Sequence, residues 1–215
     1  MNDGRSLLSP LCVICDEDTC QGAGWRLVDF AAACLRGGAR FLQVRAKRAS
    51  SRRLLELSEA VVEQARASGA LVVVNDRADI ARLSGAAGVH VGQDDLAPGA
   101  VRAIVGDKAI VGLSTHTTEQ MLASVREPIS YVAIGPIFTT TTKDTGYSAV
   151  GLDAVGTAAT LARSHGLPVV AIGGVTIESA ADVLEAGAQV VAVISDLLST
   201  GNPEERVREY LERLA

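Results

Sequence analysis

The sequence predicts a single α/β domain closed into a (β/α)8 TIM barrel. Three observations carry that expectation. Eight short runs rich in Val and Ile recur along the 215 residues, helical patterns separate most of them, and no proline- or serine-rich linker interrupts the series. Near-continuous apolar runs are what parallel strands covered on both faces require. Alternating β and α segments form either an open doubly wound sheet or a closed barrel, and eight units of even size favour closure.

In order, the strands read "LCVICD" (11–16), "RFLQVRA" (40–46), "LVVVND" (71–76), "GVHVG" (88–92), "IVGLST" (110–115), "YVAIGP" (131–136), "PVVAIGGV" (168–175) and "VVAVIS" (190–195). Between the second and third, residues 51–67 place Leu54, Leu57, Val61, Gln64 and Ala65 at helical spacing with charges opposite. Residues 177–186 followed by Gly187 give a short helix with a glycine stop. The weakest helical patterns lie at 77–84 and 97–105. The start "MNDGRSLLSP" lacks a basic region followed by an apolar stretch, so it reads as a flexible tail over 1–10, ending at Pro10, before a catalytic barrel over 11–215.

Composition narrows the function classes. Hydrophobic residues make up 48% and aromatics only 3%, so the core is built from aliphatic side chains. A net charge of −5 gives no reason to expect nucleic acid as a partner. No run of eighteen apolar residues exists, so no membrane span is expected. Cys12 and Cys15 form a C-x-x-C without a second pair or nearby His to complete a zinc set. On a strand their side chains point to opposite faces, so all four cysteines read as small buried thiols in a reducing cytoplasm.

Barrel active sites form at the C-terminal ends of the strands. There the sequence collects Asp16; Gln43, Arg45 and Lys47; Asn75 and Asp76; Gln93, Asp94 and Asp95; Ser114 and His116; the loop "GPIFTTTTKDTGY"; Gly173 and Gly174; and Ser195. Asp76 and Asp95 are either helix N-caps or two donors to one hard cation, since Mg²⁺ needs only one or two carboxylates beside substrate phosphate and water. Gln43, Arg45 and Lys47 have period two and share the inward face, where cations without partners call for an anion. Thr139 to Lys143 is a hydroxyl-rich loop ending in a cation. "AIGGV" and "AVISDLL" stand after strands seven and eight, where barrels commonly hold phosphate on backbone N–H groups. His90 reads as a packed barrel residue, His116 as a site candidate without a role, and His165 as a residue closing a helix.

These motifs, in this order and over residues 11 to 200, resemble thiamine-phosphate synthase. The residues that carry the likeness are Gln43-x-Arg45-x-Lys47, "NDR" (75–77), "GVHVGQDDL" (88–96), "GLSTH" (112–116), "GPIF" with "TTTTK" (135–143), "AIGG" (171–174) and "VIS" (193–195). The resemblance implies condensation of 4-amino-2-methyl-5-hydroxymethylpyrimidine diphosphate with a thiazole phosphate, or its carboxylated form, to thiamine phosphate and pyrophosphate. It implies Mg²⁺ on Asp76 and Asp95. It also implies diphosphate-substrate contacts from Gln43, Val44, Arg45, Ala46, Lys47, Asn75, Ser114 and Lys143. Thr140, Thr141 and Thr142 would meet the thiazole partner, and Gly174, Ile194 and Ser195 its phosphate. Arg45, Lys47, Ser114 and Lys143 would carry the charge chemistry. The loop departs from the family pattern: "FTTTTK" lacks the proline often found after the phenylalanine. A thiazole tautomerase on the same barrel would not need Asn75, Asp76, Asp95, Arg45 and Lys47 together, and a non-catalytic phosphate sensor would show degraded metal carboxylates. The oligomeric state stays open, a homo-oligomer included.

Overall fold

The computed structural model describes residues 9–140 and 146–215. The strands are β1 (Leu11–Asp16), β2 (Phe41–Arg45), β3 (Leu71–Asn75), β4 (Gly88–Val91), β5 (Ile110–Thr115), β6 (Tyr131–Ile134), β7 (Val169–Ile172) and β8 (Val190–Val193). They pair in parallel and in sequence order, and β1 pairs with β8 to close the barrel. The helices are α1 (Glu17–Gly22), α2 (Leu27–Arg36), α3 (Ser51–Arg66), α4 (Ala78–Leu83), α5 (Pro98–Val105), α6 (Thr118–Ser124), α7 (Gly151–Arg163), α8 (Ile177–Glu185) and α9 (Pro203–Arg213). A short 3-10 turn, Ser195–Leu198, follows β8.

Alternate side chains sort into two cores. Leu11, Val13, Cys15, Leu42, Val44, Val72, Val74, Val89 and Val191 pack outward against the helices. Cys12, Ile14, Phe41, Val73, Tyr131, Ala133, Val170, Val190, Ala192 and Ile194 fill the barrel interior. The period-two pleat that splits them also puts Cys12 and Cys15 on opposite sides, as expected of a strand. All four cysteines are buried thiols. No helix among the described residues is long and apolar enough to cross a membrane.

Several expected boundaries shift. Strand seven ends at Ile172 rather than 175, because Gly173 and Gly174 turn away with φ of 100° and 68°. The other overlong strand readings likewise shed turn residues. The helices at 78–83 and 98–105 are present within a residue of the expected weak patterns. Pro10, placed in the tail, is already tied to the sheet: its carbonyl accepts from the Val191 N–H at 2.9 Å. Residues 1–8 of that tail lie outside the described residues.

Candidate active site

The C-terminal rim encloses a cavity of about 700 Å³. Its lining includes Gln43, Arg45, Lys47, Asn75, Asp76, Asp95 and Ser114 on one side, and Thr140, Gly174, Ile194 and Ser195 on the other. Val44 and Ala46 do not line it. Their parity on β2 turns both side chains into the helix-facing core, which leaves them only backbone groups to offer. Thr141, Thr142 and Lys143 lie outside the described residues.

The cations on β2 and beyond are not partnerless, which corrects the argument from unpaired charge. Arg45 pairs with Asp16, its in-register neighbour on β1. Lys47 Nζ lies 2.9 Å from Asp76 Oδ2, with the lysine side chain half exposed. Asp16, to which sequence gave no ligand, is 4% exposed and caps α1: its Oδ1 accepts from the Thr19 N–H at 2.9 Å and the Thr19 hydroxyl at 2.6 Å. Burial pushes the Asp16 carboxyl up, but the Thr19 and Arg45 hydrogen bonds outweigh it and hold the group below its ordinary range. Arg45 therefore enters the cavity already oriented. A D-x-x-T stretch at a strand end was the available signal for this cap.

Neither Asp76 nor Asp95 caps a helix. The N-cap of α4 is Arg77 and that of α5 is Ala97, ahead of Pro98. Asp76 takes a left-handed backbone, φ 64°, unusual for a residue other than glycine and a form of local strain that clusters at functional sites. Its N–H donates to the His90 carbonyl at 2.7 Å, which ties the end of β3 to β4. Asp95 folds back so that Oδ2 accepts from the Gly92 N–H at 2.7 Å. Burial raises the Asp95 carboxyl above its ordinary value, the Gly92 N–H opposes this, and the charge of Asp76 adds to it. Two carboxylates that repel each other beside one another are oxygen donors suited to a hard divalent cation. Among the described residues no cluster of three His, Cys, Asp or Glu forms, so such an ion would complete its shell with substrate oxygens and water.

Gln43 Nε2 donates to Asn75 Oδ1 at 2.9 Å, both side chains being buried. The pair leaves one amide oxygen and one amide NH₂ for a ligand. Opposite, Gly173 and Gly174 pass so close to the β6 loop that side chains are excluded. A Cβ at Gly174 would lie 2.8 Å from Thr139 O and 2.8 Å from Phe138 Cβ. Asp196, beside Ser195, does not confront this wall with free charge. Tyr210 donates to its Oδ2 at 2.6 Å and Arg206 Nη2 lies 2.9 Å away. His116 stacks on Tyr147, ring centroids 4.2 Å apart, and its Nδ1 lies 2.5 Å from the Gly135 carbonyl. His90 is more than packing: Nδ1 lies 2.8 Å from Tyr131 Oη and Nε2 2.8 Å from Ser114 Oγ.

A closed eight-stranded barrel with charged groups at one end of the rim cavity and a glycine-walled backbone surface at the other defines a TIM barrel with its candidate active site at the C-terminal rim. The "Thiamine monophosphate synthase" family profile matches residues 11–197, and the chain belongs to that family. It is 42% identical over 201 residues to a thiamine-phosphate synthase of Chlorobium luteolum, covering 94% of this chain and 91% of that one. A thiamine-phosphate synthase of Koribacter versatilis is 42% identical over 188 residues, with 87% and 86% covered. Among solved structures, a thiamine phosphate pyrophosphorylase from Pyrococcus furiosus superposes with a TM-score of 0.84 at 27% identity, covering 95% of this chain and 94% of that chain. A 3-hexulose-6-phosphate synthase, with a TM-score of 0.67 at 19% identity, shares the fold.

Proposed function

We propose that the protein is a thiamine-phosphate synthase of the cytoplasm. It would transfer the pyrimidinylmethyl group of 4-amino-2-methyl-5-hydroxymethylpyrimidine diphosphate to 4-methyl-5-(2-phosphoethyl)thiazole, or to its carboxylated form, and release pyrophosphate. One observation carries this: a single cavity places Arg45, Lys47 and the Asp76–Asp95 pair across from the glycine wall of Gly173 and Gly174. That arrangement suits two phosphorylated substrates held face to face. The family membership and the names of its relatives support it.

The chain's own groups account for the chemistry. Gln43 and Asn75 offer one acceptor and one donor, complementary to an aminopyrimidine edge. Arg45, Lys47 and Ser114 meet the diphosphate, and their charge and hydroxyl favour the negative charge that grows on it as the carbon–oxygen bond breaks. The pyrimidine amino group supports the cationic carbon left behind. Backbone groups at Gly174, Ile194 and Ser195 hold the thiazole phosphate, so the ring nitrogen attacks in line. That nitrogen has a free lone pair, so no general base is needed. Asp76 and Asp95 would hold Mg²⁺, which when bound neutralises diphosphate charge. Thr140 through Thr142 and Lys143 complete the reading as contacts to the thiazole and the diphosphate.

The test is a purified-protein assay with both substrates, with Mg²⁺ and with chelator. Equal amounts of thiamine phosphate and pyrophosphate should form only with the metal. Isomerisation of the thiazole phosphate without coupling would replace this reading with a tautomerase.

A further inference from the structure

His90, Gly112 and Tyr131 stand level on three adjacent strands: His90 registers with Gly112, and Gly112 with Tyr131. Gly112 leaves a socket there. A Cβ at that position would lie 2.1 Å from Tyr131 Cζ and 2.5 Å from His90 Nδ1. The tyrosine ring crosses this gap to reach the imidazole, with ring centroids 5.5 Å apart and planes 20° from parallel. Ser114 lies two residues further along β5, on the same inward face and one level nearer the mouth. His90 and Ser114 line the cavity, whereas Tyr131 is buried beneath its floor.

We infer that His90 is a positioning residue for Ser114. Tyr131 pins the imidazole as the neutral tautomer protonated at Nε2, Nε2–H donates to Ser114 Oγ, and the serine hydroxyl hydrogen is thereby turned into the cavity. The polarity follows from hydrogen-bond inventory. A neutral imidazole has one acceptor nitrogen and one donor nitrogen. A buried phenol must place its O–H on an acceptor, and Nδ1 stands 2.8 Å away. Burial also pushes the Tyr131 phenol well above its ordinary value, so it keeps its proton. With Nδ1 accepting, the ring proton sits on Nε2, 2.8 Å from Ser114 Oγ. Ser114 Oγ then accepts from below and has its own hydrogen left for a ligand above. Gln93 Nε2 donates to the Ser114 carbonyl at 2.6 Å and fixes the backbone from the other side. The relay makes Ser114 a donor of set direction, suited to an anionic oxygen. That this oxygen belongs to the departing diphosphate rests on the proposed activity.

The experiment has two arms. In the first, the protein is labelled with ¹⁵N-histidine, and long-range ¹H–¹⁵N correlation reads the tautomer of each ring. The His90 signal is identified by its loss in His90→Gln. An Nε2–H signature is expected, and an Nδ1–H signature overturns the relay. In the second, Tyr131→Phe removes only the hydroxyl. Partners that orient metal-ligating histidines matter by about 10- to 100-fold in activity, and that range sets the scale for Tyr131 orienting His90. We expect a kcat loss in that range with the KM for the thiazole phosphate changed less than about twofold. An unchanged kcat overturns the relay. The first arm needs no substrate and reads the tautomer in the wild-type protein, with His90→Gln used only to assign the signal. It therefore decides the relay even if Tyr131→Phe does not fold, or if the wild-type protein couples no substrates and the proposed activity itself falls.

Discussion

Replacing Asp16 tests how the rim cavity is held together. Its carboxylate takes three hydrogen bonds, two from Thr19 and one from Arg45, at 4% exposure. Asp16→Ala removes an N-cap, worth about 1 kcal/mol. It also strips the partner from a guanidinium whose side chain is only 15% exposed. Breaking a buried pair costs about 3–5 kcal/mol, and the open cavity above Arg45 puts this case near the lower end. The sum is roughly 4 kcal/mol, or a drop of about 8–16 °C in Tm for a chain of this size. Asp16→Asn keeps an acceptor for Thr19 and loses the charge, so about 1.5–3 kcal/mol is expected. On the proposed function pyrophosphate would bind the folded state, and it should then restore part of the loss in either variant. The pH dependence has a definite sign. The folded-state value of Asp16 is depressed, so its contribution is complete above the unfolded aspartate value of about 3.9 and fades as pH falls through the lower folded value. Urea unfolding of wild type and variants should therefore differ by a constant amount from pH 5 to 7 and converge in stronger acid. A Tm for Asp16→Ala within about 2 °C of wild type would refute the claim that this carboxylate secures Arg45.

Three further outcomes follow from the same geometry. Asp76→Ala should lower kcat by about two orders of magnitude or more and abolish Mg²⁺ dependence; turnover that survives both the substitution and chelation removes the metal from the reading. Gly112→Ala drives a methyl group to 2.1 Å from the Tyr131 ring and should cost about 3 kcal/mol or more in urea unfolding, against almost nothing if the pair can step aside. The thiols should be inert to a disulfide reagent at pH 8 until denaturant is added. Burial, helped by Asp16 and Glu17, pushes Cys20 up to about 12, and burial raises Cys15 and Cys34 as well. Rapid labelling of any of the four in native buffer contradicts that burial.

The barrel was legible because its signal is local. Strand runs and their parity need only neighbouring residues, and parity correctly turned Gln43, Arg45 and Lys47 toward the cavity. The partners of those residues were not legible. Asp16 meets Arg45 across 29 positions and His90 meets Tyr131 across 41, distances bridged only by barrel register. His90 sits in an apolar run where a buried functional histidine and a packed one look alike. The emptiness at Gly112 has meaning only once the Tyr131 ring is seen to fill it. For Asp76 and Asp95, the alternative of helix capping fell to backbone geometry that composition does not encode.

Closure of β8 onto β1 sets a timetable for synthesis. The edge of β1 emerges early and its partner comes about 180 residues later; at about 5–20 residues per second that interval is roughly 10–40 s. Until then Leu11–Asp16 presents an open strand edge that is apolar up to Asp16, and β7 presents another, each a template for pairing with a foreign chain. The Ser195 wall of the cavity is also made last. A nascent chain therefore has no complete rim cavity, and truncation before β8 leaves an aggregation-prone sheet rather than a slower enzyme.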